Sequence, residues 1–512
     1  MGCPPSSSTH PRTGAVVTRR PAVVTTAGVL VAMATGTAAA DGGGHGDPPP
    51  GAPGIGDPYY PLDGNGGYDV QHYGLDLRYD PASDVLAGTA TITARATQSL
   101  SSFDLDLVGL EVRSVTVGGH PATWTREGQE LVVTPAHPLH EHRRFTVEVA
   151  YDGVPETIQD ELGGSGFFHT DDGAVVAGQP HGAATWFPAN DHPRDAASVD
   201  VSVTVPEGLE GVSNGVLCGS WTTDGWTTWA WSAEEPMATY LVTLAVGEFD
   251  LRHYEADGIL YWDAVDPAVA TFDADPETEG PLAGEVIDAT LARQPQIVEA
   301  AEGWFGPYPF SAAGAIVDDT PDLGFALETQ TRPVYSPLFF SDPLLAETIV
   351  VHELAHQWYG DSVRLDAWQH IWLNEGFATY AEWLWLEHEG LDTPQGIFDN
   401  LASLTDEELG ADFWQVVIGD PGPATDQLFH PAVYTRGAMT LQALRNQVGD
   451  DAFFSILREW ASSMAGQTAT TGQFIALAEA VSGQQLDELF TAWLFTPGRP
   501  AGLPEPVPAE AA

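Results

Sequence analysis

The pattern of apolar residues changes its period near residue 250, and no other feature of the sequence constrains the fold as strongly. Between Tyr68 and about Glu248, apolar and polar residues alternate, as in TATITAR (89–95) and VDVSVTV (199–205). Alternation of this kind is typical of strands that bury one face. The sequence therefore predicts an all-β N-terminal domain, to which we assign residues 61–250.

The second half of the chain has a helical pattern. Residues 283–302 are helix-like, and apolar residues recur at intervals of three and four in segments 432–448 and 450–464. This spacing places apolar side chains on one face of a helix. We therefore predict a mainly helical second domain over residues 251–498, so that the chain is a multidomain protein of the α+β class.

Charge excludes one broad class of function. The 512 residues include 72 acidic and 18 basic side chains, which give a formal net charge of -54. Nucleic-acid binding depends on basic residues that displace counterions from phosphates. Nucleic acids and anionic membrane surfaces are therefore poor partners for this chain.

The two ends of the chain have compositions that differ from the rest. Residues 1–40 contain three arginines, no acidic residue and an apolar run that ends in three alanines, which is typical of a cleaved export signal. A membrane anchor is the rival interpretation, but several threonines and glycines interrupt the run. We expect a secreted protein with no stable membrane insertion after cleavage, a flexible linker over residues 41–60 and a disordered tail over residues 499–512.

A helix with clear start and stop signals carries the most informative motif. Asp342 followed by Pro343 is typical of a helix N-terminus, and Gly360 is a stop signal, so a helix is predicted over residues 343–359. This helix contains HELAH at 352–356. Two histidines four residues apart lie on the same helix face and can bind one zinc ion.

A hydrolytic zinc site needs a third protein ligand and an open fourth position. Glu375 is the candidate, because it follows His356 after a gap of 18 residues and lies in a second predicted helix. The metal site predicted from the residues is therefore one zinc ion per chain, bound by His352, His356 and Glu375. Glu353, between the histidines, is then placed to act as a general base.

The sequence around this motif resembles the aminopeptidase N family of zinc metallopeptidases, the gluzincins. The resemblance starts from HELAHQWYGD and WLNEGFA and extends to WFPANDHP (186–193), PMATYLVTLAVGEF (236–249) and YTRG (434–437). It implies a short, secreted, two-domain, bacterial-type member, with a saddle-like β domain and a thermolysin-like catalytic domain. The family's large C-terminal helical domain is not matched.

The resemblance also assigns roles to individual residues. Tyr434 would stabilise the oxyanion, and Glu328 would bind the substrate's free α-ammonium, with Gln179 as a second amine-binding residue. Glu382 lies seven residues after Glu375 and is predicted to orient a zinc-bound histidine. From residue type alone, Tyr434 could instead be a packed aromatic side chain, Gln179 a surface amide and Glu382 an exposed acid.

One departure from the family concerns the exopeptidase motif Gly-Ala-Met-Glu-Asn. In this chain its place is taken by Phe325 to Thr329, with the sequence FALET, so that glutamate is kept and the glycine and asparagine are replaced. The combined prediction is a secreted, monomeric, zinc-dependent aminopeptidase that acts on peptides with a free N-terminus. The alternatives are a zinc endopeptidase of the same catalytic type, or an inactive surface-binding protein with a zinc site.

Overall fold

The computed structural model describes residues 48–272, 281–320 and 322–503. The predicted signal peptide, residues 1–40, lies outside the described residues. Two regions follow each other along the chain, the first made of strands and the second mainly of helices. Strands continue beyond residue 250 as far as Val265, and the first α-helix begins at Ala283.

The N-terminal region is an all-β domain. Its strands are β1 (Tyr68–Asp80), β2 (Val85–Ala96), β3 (Phe103–Asp106), β4 (Glu111–Val117), β5 (His120–Pro121), β6 (Thr123–Glu127), β7 (Glu130–Thr134), β8 (Arg144–Gly153), β9 (Thr157–Asp160), β10 (Gly163–His169), β11 (Ala174–Ala177), β12 (Ala196–Pro206), β13 (Glu210–Ser213), β14 (Val216–Thr223), β15 (Trp226–Ala238) and β16 (Leu244–Gly247).

These strands form three sheets, in the orders β14-β15-β12-β1-β2-β8-β4-β5, β13-β16-β11-β10-β9 and β3-β7-β6. Strand β12 shows why the sequence alternates, because every second residue of its VDVSVTV segment is buried. Apolar faces of the sheets pack on each other and exclude water from a shared core. The five-stranded sheet of this domain contributes to the site described below. Its β9–β10 hairpin and the loop after β11 both reach that site.

The second region begins with a mixed sheet and continues with helices. The strands are β17 (Asp250–Ala256), β18 (Ile259–Val265), β19 (Ala312–Val317), β20 (Ala326–Leu327), β21 (Val334–Tyr335), β22 (Arg364–Leu365) and β23 (Thr468–Ala469). The first five form one sheet in the order β17-β18-β19-β21-β20, and β22 pairs with β23. The fold class predicted from the sequence, β domain followed by helical domain, is confirmed.

The helices of the second region carry its core. They are α1 (Ala283–Leu291), α2 (Gln294–Phe305), α3 (Pro343–His356), α4 (Trp372–His388), α5 (Pro394–Ser403), α6 (Asp406–Leu409), α7 (Thr425–Leu428), α8 (Pro431–Val448), α9 (Asp450–Ser463), α10 (Thr471–Ser482) and α11 (Asp487–Phe490). Aromatic side chains in edge-to-face contact fill the space between α4, α9 and α10, among them Phe377, Trp460 and Phe474. Segment 283–302, helix-like in sequence, divides into α1 and the first part of α2.

The segment predicted as a flexible linker differs from that prediction where the structure describes it. The side chain of Asp57 is fully buried, and its carboxylate accepts hydrogen bonds from His192 Nε2 at 3.0 Å and from the backbone N–H of Trp368 at 2.9 Å. Because Trp368 belongs to the second region, residues 48–60 connect the two regions. Composition gave no sign of this, because a few specific contacts hold the segment, such as those of the Asp57 carboxylate and the hydrogen bond from the Tyr60 hydroxyl to the carbonyl of Pro423 at 2.8 Å.

Part of the predicted disordered tail, residues 499–503, lies within the described residues. Arg499 donates a hydrogen bond to the carbonyl of Ala402 and lies over the ring of Trp414. Residues 504–512 lie outside the described residues. Within the described ranges, the search for an apolar helix of membrane-spanning length finds none.

Candidate active site

Helix α3 positions the HELAH motif. Asp342 caps its N-terminus, and the carboxylate accepts hydrogen bonds from the backbone N–H groups of Leu344 and Leu345 at 2.9 and 3.0 Å. The helix ends at His356, three residues before the predicted end. All five residues of the motif are buried, so the histidines do not face bulk solvent.

Hydrogen bonds fix the orientation of both histidine rings. Nδ1 of His356 donates to the carbonyl oxygen of Tyr359 at 3.0 Å, and Nδ1 of His352 donates to Oε1 of Glu382 at 2.7 Å. In each ring, Nε2 is therefore the nitrogen that remains for a metal. Glu382, on α4, thus contacts one of the two histidines.

Glu375 completes a three-residue cluster. Its Oε2 lies 3.3 Å from Nε2 of His352 and 3.4 Å from Nε2 of His356. A tetrahedral metal with ligands at about 2.0–2.2 Å separates its ligand atoms by roughly 3.3–3.6 Å. Burial acts to raise the pKa of Glu375, but the two imidazoles outweigh it and lower the pKa to about 2. The three side chains thus have the spacing and the charge that suit one divalent metal ion.

Two more carboxylates lie next to this cluster. Ligand atoms of Glu328, Glu353 and His356 are all within 4.8 Å of one another. Burial raises the pKa of Glu353 to about 8, although both histidines act to lower it. A carboxylate with such a pKa is well suited to accept and return a proton near neutral pH.

Glu328 is held by groups from both regions of the molecule. Its Oε1 accepts hydrogen bonds from Gln179 Nε2 at 3.0 Å and from the hydroxyl of Tyr240 at 2.9 Å. Gln357 Nε2 donates to its backbone carbonyl at 3.1 Å. Burial raises the pKa of Glu328, while the His356 imidazole acts to lower it. Gln179 and Tyr240 come from the β domain, so this part of the site exists only because the two regions are packed together.

Tyr434 lies on α8 at the edge of the metal-ligand cluster. Its ring is 6.0 Å from that of His352, measured between ring centroids. Burial and the nearby carboxylates raise the pKa of Tyr434 well above its ordinary value, so its hydroxyl stays protonated and can donate a hydrogen bond.

A close helix contact sets the position of Tyr434. Helices α4 and α8 touch at Gly376 and Gly437, where a Cβ added to Gly376 would lie 2.9 Å from Gly437 Cα. Larger residues would push the helices apart and separate Tyr434 from Glu375. The guanidinium of Arg436 is buried beside this contact and donates to four backbone carbonyls, which fixes α8 against the chain around it.

A cavity opens beside these groups. It has a volume of about 300 Å³, and Gln179 and Tyr434 are among the residues that line it. Other walls come from the β9–β10 hairpin, from residues 324–327 and from the segment around α7. The cavity therefore offers space for part of a ligand next to Glu328 and the metal-ligand cluster.

The structure brings all eight sequence-predicted site residues into one region: His352, Glu353, His356, Glu375, Tyr434, Glu328, Gln179 and Glu382. Sequence reasoning did not single out Tyr240, Gln357 and Arg436. Each belongs to a quoted motif, so the signal was present, but only packing shows that Tyr240 contacts the side chain of Glu328 and Gln357 its backbone carbonyl. Other conspicuous residues, such as His181, have partners outside the site; His181 Nδ1 pairs with Asp63 at 2.8 Å.

An HExxH helix, a second helix with a glutamate ligand and a preceding β domain together define a metal-dependent hydrolase of the HExxH type. Residues 69–241 match the Peptidase M1 N-terminal domain, and residues 340–493 match the Peptidase family M1 domain. The chain belongs to peptidase family M1.

Similar solved structures agree with this assignment. The M1 zinc metallopeptidase from Deinococcus radiodurans is 29% identical with a TM-score of 0.75, over 89% of this chain and 100% of that one. A mutant of the Deinococcus radiodurans enzyme, bound to a Tyr-Ser-Ala substrate, is 30% identical with a TM-score of 0.75, over 89% of this chain and 100% of that one.

Curated relatives are more distant and longer. Aminopeptidase M1 of Arabidopsis thaliana is 25% identical over 465 residues, which are 84% of this chain and 50% of that protein. Glutamyl aminopeptidase of Bitis rhinoceros is 23% identical over 475 residues, which are 84% of this chain and 46% of that protein. The chain thus spans about half the length of the curated relatives it matches.

Proposed function

We propose that this protein is a zinc-dependent aminopeptidase that removes the N-terminal residue from peptides. One observation carries the proposal: Glu328, held by Gln179 and Tyr240, lies within 4.8 Å of ligand atoms of Glu353 and His356. A free α-ammonium needs charged and carbonyl acceptors next to the reacting bond. The substrate of an endopeptidase has a neutral peptide group at this place, which a buried carboxylate would not bind favourably.

Zinc is the metal that suits this donor set, since two imidazole nitrogens and one carboxylate oxygen are its usual ligands in hydrolases. His352, His356 and Glu375 would hold it. When bound, zinc would polarise the scissile carbonyl and lower the pKa of a water molecule to about 7.

The side chains of the protein carry out the other steps. Glu353 accepts a proton from the attacking water and then delivers it to the leaving amine. The hydroxyl of Tyr434 donates a hydrogen bond to the oxygen that becomes negative when the carbonyl is attacked. Glu328 and the side-chain oxygen of Gln179 accept hydrogen bonds from the α-ammonium and fix which bond is cleaved.

Relatives are associated with different first residues. Several are glutamyl aminopeptidases, whereas the Deinococcus radiodurans mutant was crystallised with a peptide that begins with tyrosine. Peptides with a free N-terminus are the substrates we propose.

The decisive experiment compares an aminoacyl anilide that has a free amine with its N-acetylated form. We expect hydrolysis of the first and at least about a hundredfold less of the second, because acetylation removes the charge that Glu328 binds. Equal hydrolysis of both would exclude an aminopeptidase and favour the endopeptidase.

We further propose that the protein is exported with removal of the first 40 residues and acts as a monomer. The arginines and the apolar run of residues 1–40 support export. N-terminal sequencing of secreted protein should find a start near Asp41, and light scattering should give the mass of one chain. A mature N-terminus at Met1, or a larger assembly, would contradict these proposals.

A further inference from the structure

The cavity next to Glu328 has a lining that selects among amino-acid side chains. Five of its residues are apolar, namely Leu162, Phe325, Ala326, Leu327 and Phe429. Two of these are aromatic and come from separate segments, Phe325 from the stretch before β20 and Phe429 from the end of α7. Both rings are half-buried, so each keeps part of its surface for contact with a ligand.

The position of the cavity identifies the part of the substrate that enters it. Gln179 lines the cavity and donates to Glu328, and Tyr434 lines it from the side of the metal-ligand cluster. A substrate with its ammonium on Glu328 and its carbonyl near Tyr434 has its first Cα between these two groups. The side chain on that Cα is therefore the group that lies in the cavity.

The size of the cavity suits a large side chain. Its volume is about 300 Å³, whereas a cavity of about 150 Å³ is enough to hold a benzene ring. A methyl group would leave most of this space without contacts, and unfilled apolar space contributes no dispersion energy.

The charge of the lining disfavours an acidic side chain in the cavity. None of the described residues that line the cavity is basic, and Asp160 is among them. A carboxylate placed there would lie beside another carboxylate and against apolar walls, without a cation to pair with.

Phe325 has a special place in this lining. It stands where the exopeptidase motif of the family has glycine. The centroid of its ring lies 6.4 Å from the ring centroid of Phe168. The ring therefore occupies space that glycine would leave open. Contacts between aromatic rings add to the stabilisation that comes from the area they bury.

We propose that the Phe325 ring, together with Phe429, makes this cavity selective for peptides whose first residue is bulky and apolar, aromatic before aliphatic, and that acidic first residues are rejected. The proposal rests on the proposed aminopeptidase function and names its substrate class.

The test measures kcat/KM for fluorogenic amides of Phe, Leu, Ala and Glu, each with a free amine. For the wild type we expect Phe above Leu by about two- to tenfold. We expect Phe above Ala by at least about tenfold. The Glu amide should lie more than about a hundredfold below Phe.

Two variants assign the selectivity to one ring. Phe325→Gly removes the ring and should lower the ratio of Phe to Ala by at least about tenfold. Phe325→Leu keeps an apolar wall and should lower the ratio of Phe to Leu while Phe stays above Ala. Trp221→Ala is the matched control, because Trp221 is a 54% exposed aromatic residue on β14 that does not line the cavity.

Circular dichroism of each variant checks that it is folded, and if Phe325→Gly does not fold, Phe325→Leu decides. A wild type that prefers Glu or Ala, or ratios unchanged in a folded Phe325 variant, would overturn the proposal. A wild type that hydrolyses none of the amides, or cleaves N-acetylated forms equally well, would instead contradict the proposed function and with it this inference.

Discussion

The two halves of the candidate active site are built in different ways. The metal-binding half comes from two neighbouring helices of one domain, α3 and α4, whose ligands lie within 24 residues of each other along the chain. The amine-binding half joins Glu328 to Gln179 and Tyr240, which are 149 and 88 residues away in sequence and belong to the other domain.

The two halves of the site can therefore lose their function separately. The metal-binding half depends on local helix geometry, so it should persist when contacts between the domains are weakened. The amine-binding half needs the β domain in place, so changes there should alter substrate recognition and leave metal binding intact.

The largest effect should follow from Glu353→Gln. The amide cannot accept the water's proton, so kcat should fall by about 10²–10⁴-fold, while the metal content stays at the wild-type level. Glu347→Gln is the matched control, since Glu347 lies on the same helix but pairs with Arg293 at 2.6 Å. If Glu353→Gln turned over at the wild-type rate, the assignment of the base would be wrong.

A smaller effect is expected for Glu328→Gln in the amine-binding half. The loss of a buried charge that binds an ammonium should lower kcat/KM for free-amine substrates by about ten- to a hundredfold. Metal content should not change, because Glu328 is not among the three residues His352, His356 and Glu375. Loss of the metal in this variant would show that the two halves are not separable.

Two conservative variants each remove or weaken one hydrogen bond, one in each half of the site. Glu382→Gln weakens the hydrogen bond to His352 Nδ1 and should lower metal affinity by about 10–100-fold. Tyr240→Phe removes one hydrogen bond to Glu328 and should raise KM by about three- to tenfold. Chelator titration and steady-state kinetics on both variants measure these effects. If Glu382→Gln changed only KM and Tyr240→Phe changed only metal affinity, the two halves would not be separable in this way.

The smallest effect on catalysis, but a clear effect on stability, is expected for Asp57→Ala. The substitution leaves a buried His192 nitrogen and the Trp368 N–H without their acceptor, which costs about 1–3 kcal/mol of unfolding free energy. Thermal denaturation with saturating metal measures this cost. An unchanged Tm would show that the segment around Asp57 does not hold the two domains together.

The same carboxylate should respond to acid. Burial acts to raise the pKa of Asp57, but hydrogen bonds from His192 and from backbone N–H groups outweigh it and lower the pKa below its ordinary value. Stability from this group is therefore present above a pH of about 3.9 and lost as the pH falls further. The stability difference between wild type and Asp57→Ala should shrink over that acidic range.

The difference between the metal-binding and amine-binding halves also explains how much of the site could be predicted from the sequence. Helix α3, its Asp342 cap and the metal ligands could be predicted because they follow from local periodicity and spacing. Glu328 and Gln179 could be named only through a resemblance, since nothing local indicates that they meet. Asp57 was missed, because the burial of one acid in a stretch rich in glycine and proline depends on partners 135 and 311 residues away.

The most direct test of the account is elemental analysis of the purified protein, before and after dialysis against a chelator and then against zinc. We expect one zinc per chain, activity lost on chelation and restored with the metal, and little zinc bound by a folded Glu375→Ala variant. Protein that binds no zinc under any of these conditions, or that stays active without metal, would contradict it.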